Sequence, residues 1–175
     1  MVITVNIKIG NLTITNFCFN NIDHIMFKKV LDDDDLIYDF VSTTVGEDLI
    51  NTTDSDNIIL DNAYIVCDGE IPVGVVYFME IKDNNSFIEL RGAIHPEYRR
   101  LGYLGYHDSD RTGYGEMILK ECSDYLFHFP GIDGVELHIR KDNIASIGCA
   151  IKSGYIYEGE NNNEYYYVYR KYKKV

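Results

Sequence analysis

The residues with the strongest chemical character fall in one stretch, 87–116. It reads Phe-Ile-Glu-Leu-Arg-Gly-Ala-Ile-His-Pro-Glu-Tyr-Arg-Arg-Leu-Gly-Tyr, then Leu-Gly-Tyr-His-Asp-Ser-Asp, then Arg-Thr-Gly-Tyr-Gly-Glu. An expected strand feeds an Arg/Gly-rich loop, and the loop opens an expected helix. Glycine lets backbone approach a ligand closely. Exposed N–H groups and the dipole of a helix N-terminus favour phosphate. Arg99, Arg100 and Arg111 bring positive charge to the same spot. The chemistry this predicts is a pyrophosphate cradle. It is not a P-loop, because the closing Lys-Ser/Thr is missing. It is not a dinucleotide fingerprint either, because the glycine spacing fails and the preceding strands read as antiparallel.

Other reactive residue types give weaker signals. Cys18, Cys67, Cys122 and Cys149 form no C-x-x-C and read as free thiols. Asp32 to Asp35 read as a solvated loop, since the EF-hand spacing and its central glycine are absent. No His/Asp/Cys cluster suggests a metal site. The chain carries 28 acidic against 16 basic residues, for a net charge of -12. That balance argues against a broad surface for nucleic acid or anionic lipid. No apolar stretch is long enough to span a membrane, and no secretory leader pattern opens the chain, so a reducing cytoplasmic setting is expected.

The elements that must position these residues follow from periodicity. The 175 residues suit one domain, 1–175, with an adequate core. Residues 3–9 alternate and predict a strand; residues 12–17 predict a second strand or its continuation. Asn20 or Asn21 caps a predicted helix bearing Ile22, Ile25, Met26 and Val30, with another helix over 36–42. Residues 43–62 read as loop or short helix. Residues 63–67, 72–79 and 87–94 predict an antiparallel meander, turning at Asp68-Gly69 and at 82–86. A helix is predicted over 114–127, burying Ile118, Cys122, Tyr125 and Leu126. A strand follows at 135–139, then a helix over 144–152 closed by Ser153-Gly154. A final hairpin pairs 155–158 with 165–172. The sum is an α+β fold with a mixed, mostly antiparallel sheet flanked by helices.

With these elements in place, the sequence resembles the GNAT superfamily of acyl-CoA-dependent N-acyltransferases. The resemblance rests on Ile94 to Tyr103, on Gly113-Tyr114-Gly115, and on Asn143 to Tyr155. It covers roughly 60–172 well and the N-terminal part more loosely. Family members show V-x-P-x-x-R-x-x-G-x-G at the pyrophosphate loop. Here Leu104 follows Gly102-Tyr103, and Gly-Tyr-Gly appears at 113–115, so the loop looks enlarged by 11 residues. The resemblance therefore assigns the phosphate-facing amides to Gly113, Tyr114 and Gly115, with Arg111 nearest in charge and Arg99 or Arg100 behind it. The inserted residues 104–112 either fold over the site or form a bulge with no role. In the later segment Asn143, Ser146, Ile147, Lys152, Gly154 and Tyr155 fit the family spacing.

The resemblance also implies a chemistry. The acceptor amine must lose a proton, the thioester carbonyl must be polarised, and the thiolate must leave. It points to Glu89 as base, directly or through water; the plain alternative is a solvent-facing strand residue. His95 is a second candidate. Backbone groups around Ala93 and Ile94 are implied to pair with pantetheine. Asn143 and Ser146 are either neighbours of the cofactor arm or a helix cap and its packing. The usual leaving-group acid, a Tyr seven residues after the Asn, is replaced by Ala150; Tyr103, Tyr114 and Tyr155 are the substitutes to consider. The N-x-x-S-I pattern without that Tyr resembles the branch of ribosomal-protein N-terminal acetyltransferases.

The expected function is acetyl transfer from acetyl-CoA to a primary amine within a ternary complex. The amine belongs to a small molecule, a peptide or a protein, and the acidic chain favours a basic one. A homodimer through the C-terminal strands is compatible with the resemblance. The competing expectation is a protein that keeps the fold but only binds CoA, an acyl-CoA or a partner.

Overall fold

A computed structural model describes residues 5–18, 59–81, 84–99, 113–161 and 165–174. They form eight strands and two helices, an α+β fold with a mixed, mostly antiparallel sheet. The strands are β1 (Asn6–Ile9), β2 (Leu12–Cys18), β3 (Ile59–Asp68), β4 (Ile71–Ile81), β5 (Asn84–Ile94), β6 (Gly134–Arg140), β7 (Ile156–Glu160) and β8 (Tyr166–Tyr172). The helices are α1 (Tyr114–Leu126) and α2 (Ile144–Lys152), and a short 3-10 turn covers Pro96–Tyr98. The chain divides into two compact units, and β4 and β5 contribute residues to both.

The described part of one unit comprises residues 5–18, 59–77 and 92–99. Its strands β1, β2, β3 and the start of β4 pair antiparallel in succession. Ile7, Leu12 and Ile14 are buried while Asn6 and Lys8 face water, the alternation expected of a half-covered strand. Tyr64, Ile65 and Val66 are buried in succession, so both faces of β3 are covered. Gly69, at φ +63, turns β3 into β4 where an L side chain would be strained. Gly74 lets β4 and the end of β5 approach: a Cβ there would lie 2.5 Å from the Ala93 carbonyl oxygen.

The other unit comprises residues 78–81, 84–91, 113–161 and 165–174. Here β5 pairs parallel with β6, β6 antiparallel with β8, and β8 antiparallel with β7. α1 packs against α2 and β6. α2 is framed by local signals. The Asn143 side chain accepts the Ser146 N–H at 3.1 Å, and Gly154 closes the helix at φ +85. Gly154 N–H donates to the Ile151 carbonyl and Tyr155 N–H to the Ala150 carbonyl, the Schellman arrangement.

Three expectations need correction. β3 begins at Ile59, so 59–62 are strand rather than loop; pairing of Ile59 with Cys18 overrides the weak local propensity of an Asp/Asn-rich run. β5 begins at Asn84, which shortens the turn expected over 82–86. On α1 Tyr125 is only half-buried, and Tyr114, Met117 and Ser123 join the buried face; the stripe was placed too far toward the C-terminus. The helices expected between residues 20 and 42, and the Asp32–Asp35 run, lie outside the described residues.

Candidate active site

The site is built where a parallel pair stops. β5 and β6 are in register at Phe87↔Gly134, Ile88↔Val135 and Glu89↔Glu136, although both strands run on. Phe87 lies over Gly134 so closely that its ring fills the space a Cβ would need. Beyond that seal, the last registered position holds two carboxylates side by side. Like charges directly opposite each other in a sheet repel. Strand alternation supplies the compensation, because residues two apart share a face. Arg91 follows Glu89 on β5, His138 follows Glu136 on β6, and Arg170 faces Glu136 from β8.

The contacts are short and directional. Arg91 Nε donates to Glu89 Oε1 at 2.6 Å. Arg170 Nε donates to Glu136 Oε2 at 2.6 Å, and its guanidinium lies 5.3 Å from the Phe87 ring centre. His138 Nε2 is 2.6 Å from Glu136 Oε1, and its Nδ1 is 3.7 Å from Glu89 Oε1. Glu89 and Glu136 are 7 % and 5 % exposed, so the plain reading of Glu89 as a solvent-facing residue is corrected. Burial pushes the Glu136 carboxyl up, but the hydrogen bonds from His138 and Arg170 prevail and hold it below the ordinary range. The bond to Glu136 raises the His138 imidazole above its ordinary value against the opposing effect of burial, and the Glu89 charge adds to the rise.

The expected phosphate end lies at the start of α1. Gly113 is its N-cap, in extended conformation and without a side-chain cap, and Tyr114 and Gly115 are the first helical residues. The first N–H groups of a helix have no acceptor within it, so this turn directs donors outward. A Cβ at Gly113 would meet nothing within 4 Å, whereas one at Gly115 would meet Cys149 Sγ at 3.3 Å. Gly115 thus also serves close packing of α1 on α2. Arg100 and Arg111 lie outside the described residues, as does Tyr103.

The remaining candidates are placed as follows. Asn143 and Ser146 form the α2 cap. The Ile94 carbonyl accepts from Arg99 Nε at 3.0 Å, and Ala93 and Ile94 are half-buried. His95 is fully buried, with Nδ1 accepting the Glu97 N–H at 3.2 Å, and packs against Tyr98. Ala150 is fully buried on α2. Tyr155 is buried, its hydroxyl donates to the Leu119 carbonyl at 3.4 Å, and burial raises its phenol far above the usual range. Tyr114 is 3 % exposed. Tyr114 and Tyr155 are therefore core residues, and the hydroxyl of Tyr155 is committed to a backbone carbonyl. Burial raises the Cys149 thiol, which stays protonated at neutral pH. Among the described residues no group of His, Cys, Asp and Glu could hold a metal ion.

His138, Glu136, Arg91 and Arg170 were not reached by sequence reasoning. The available signal was the i, i+2 pairing of charged residues in Glu136-Leu-His138 and Glu89-Leu-Arg91, unusual in strands with otherwise apolar neighbours.

Solved structures share this fold. An acetyltransferase of the GNAT family from Bacillus anthracis aligns over 96 % of this chain and 98 % of its own, with 18 % identity and a TM-score of 0.69. The N-acetyltransferase PseH from Campylobacter jejuni, solved with acetyl coenzyme A, aligns over 92 % and 99 %, with 14 % identity and a TM-score of 0.57. A dodecameric spermidine N-acetyltransferase from Vibrio cholerae aligns over 93 % of each chain, with 16 % identity and a TM-score of 0.54. No curated protein matches the sequence. At these identities the structures speak for the fold; the sequence itself decides the family. The model of the acetyltransferase (GNAT) domain matches residues 32–156, well over half of the chain, and the chain belongs to that family.

Proposed function

We propose that the protein transfers an acetyl group from acetyl-CoA to a primary amine, directly, in a ternary complex. The observation that carries this reading is the buried, charge-compensated carboxylate of Glu89 at the last registered position of the parallel pair. A carboxylate held there, in reach of an imidazole, is equipped to take a proton from an ammonium group. The uncapped start of α1 at Gly113, Tyr114 and Gly115 suits the co-substrate's pyrophosphate, and Arg111, two residues earlier in the sequence, keeps its assignment to it on the resemblance. Ala93, Ile94, Arg99 and Arg100 keep their assignment to acetyl-CoA on the resemblance. Asn143 and Ser146 would act on it indirectly, by holding α2 in place. With Ala150 buried and the Tyr155 hydroxyl tied to a carbonyl, neither supplies the usual acid, and CoA leaves as a thiolate, a tolerable leaving group near pH 8.

The N-x-x-S-I pattern and Ala150 favour the ribosomal-protein N-terminal acetyltransferase-like branch, and the net charge of -12 favours a basic acceptor. We place the enzyme in the cytoplasm, as one domain over 1–175, with the C-terminal strands as the surface for a homodimer. Calorimetric titration with acetyl-CoA and with CoA tests the reading. One micromolar site per chain is expected, and Glu89→Gln should keep it while losing turnover. Binding without turnover in the wild type, against a panel of amines, would favour the acyl-CoA-binding alternative. No binding near about 1 mM by folded protein would remove the co-substrate and the enzyme reading with it.

A further inference from the structure

We propose that His138 is the proton relay behind Glu89, with Glu136 and Arg170 as the residues that fix its tautomer. The proposal rests on the acetyl-transfer reading above and deepens it. The argument is geometric. Glu136 is an acceptor only, since Arg170 holds its other oxygen at 2.6 Å. The ring nitrogen 2.6 Å from it, Nε2, therefore carries hydrogen in the neutral imidazole. That leaves the lone pair on Nδ1, which is the nitrogen facing Glu89 Oε1 at 3.7 Å. A proton arriving on Glu89 has an acceptor one small shift or one water away. Such distances shorten when a substrate is bound. Charged groups reach the ring from every described strand around it: Glu136 on its own strand, Glu89 and Arg91 from β5, and Arg170 from β8 through Glu136.

Proton affinity gives the relay its purpose. An alkylammonium near pKa 10 transfers its proton to an ordinary carboxylate near 4.3 against a gap of about six units. An imidazole at its ordinary value narrows the gap by about two units, roughly a hundredfold. Arg91 Nε holds the same Glu89 oxygen that faces His138 Nδ1, so carboxylate and imidazole meet at one fixed point. In balance, the ammonium gives one proton to Glu89 and thence to His138 Nδ1, which passes it to water. The free amine attacks the thioester, the C–N bond forms and the C–S bond breaks. CoA leaves as the thiolate, the second nitrogen proton is lost to water, and the thiolate takes up a proton from water afterwards, giving amide and CoA thiol.

Two measurements test it. Imidazole nitrogen NMR of the wild type across pH 5–9 reads the tautomer without any acceptor. Nε2–H with a bare Nδ1 is expected, and Nδ1–H in the neutral ring overturns the relay. The pH profile of CoA release, with spermidine and a basic N-terminal peptide as probe amines, reads the function. His138→Gln should lower kcat about tenfold or more, leave KM for acetyl-CoA within about twofold, and abolish the acid limb that follows the His138 titration. Added imidazole should restore part of the rate. Glu136→Gln should shift that limb to lower pH. Turnover with an unmoved profile in His138→Gln overturns the relay and leaves the acetyl-transfer reading standing. Wild type that does not bind acetyl-CoA in calorimetry overturns both.

Discussion

Replacing Arg170 by Met removes one of the two partners of a buried carboxylate and keeps most of the apolar stem. Glu136 is 5 % exposed, and Arg170 holds its Oε2 at 2.6 Å. A hydrogen bond between charged groups contributes about 1.5–3 kcal/mol net. The guanidinium over Phe87, at 5.3 Å, adds roughly 0.5 kcal/mol at a partly exposed site. The Arg170 side chain is 34 % exposed, so water can reach the gap and repay part of the loss. A net destabilisation of about 2 kcal/mol is expected, which for a chain of this size lowers Tm by about 4–8 °C. The deficit should depend on pH with a definite sign. Glu136 lies below its ordinary value in the folded protein, so its contribution is present above that ordinary value and is lost as pH falls through the folded one. Without Arg170 the folded value rises, and stability begins to fade at higher pH. His138 is shifted the other way: its contribution is complete below its ordinary value and is lost as pH rises through the raised one. Thermal melts from pH 4 to pH 9 should show a wild-type plateau between these limits and the largest deficit on it, shrinking toward pH 4. A Tm change under about 1 °C at pH 6 would refute the reasoning, because it would mean that water already solvates Glu136 as well as Arg170 does.

Two other substitutions probe the scaffold. Gly74→Ala puts a Cβ 2.5 Å from a backbone carbonyl that has little freedom to move, and should cost about 1–3 kcal/mol in chemical denaturation; a neutral result would show that the end of β5 shifts freely. Asn143→Ala removes the α2 cap and should cost about 1 kcal/mol, while Asn143→Ser retains most of it. Acetyl-CoA affinity that follows the cap, falling in the Ala variant and kept in the Ser variant, is the expected pattern; equal loss in both would assign the amide to the co-substrate directly.

How far the site could be read from the chain depends on whether its determinants are local. α2 was predicted to the residue because its limits are written within a few positions, in Asn143 at one end and Gly154 at the other. Glu89 was reached only through its distance from Pro96 in a resembling family, since nothing in its neighbourhood marks it as buried. Its partners could not be found that way. Arg170 meets Glu136 because β8 pairs with β6, and β7, the strand before it in sequence, pairs with β8 on its other side. That order is a non-local choice, and it alone brings residues 34 apart to 2.6 Å. The alternation in Glu136-Leu137-His138 announces one polar face but not the identity of the strand that covers it. A pair of carboxylates at one register position would be a liability in isolation. Strand alternation supplies Arg91 and His138 against them and the sheet order adds Arg170, and with the imidazole neutral the five groups sum to zero charge. One added proton then makes the cluster cationic without leaving any carboxylate unpaired. That is the electrostatic condition under which a buried group can take up a proton and release it again.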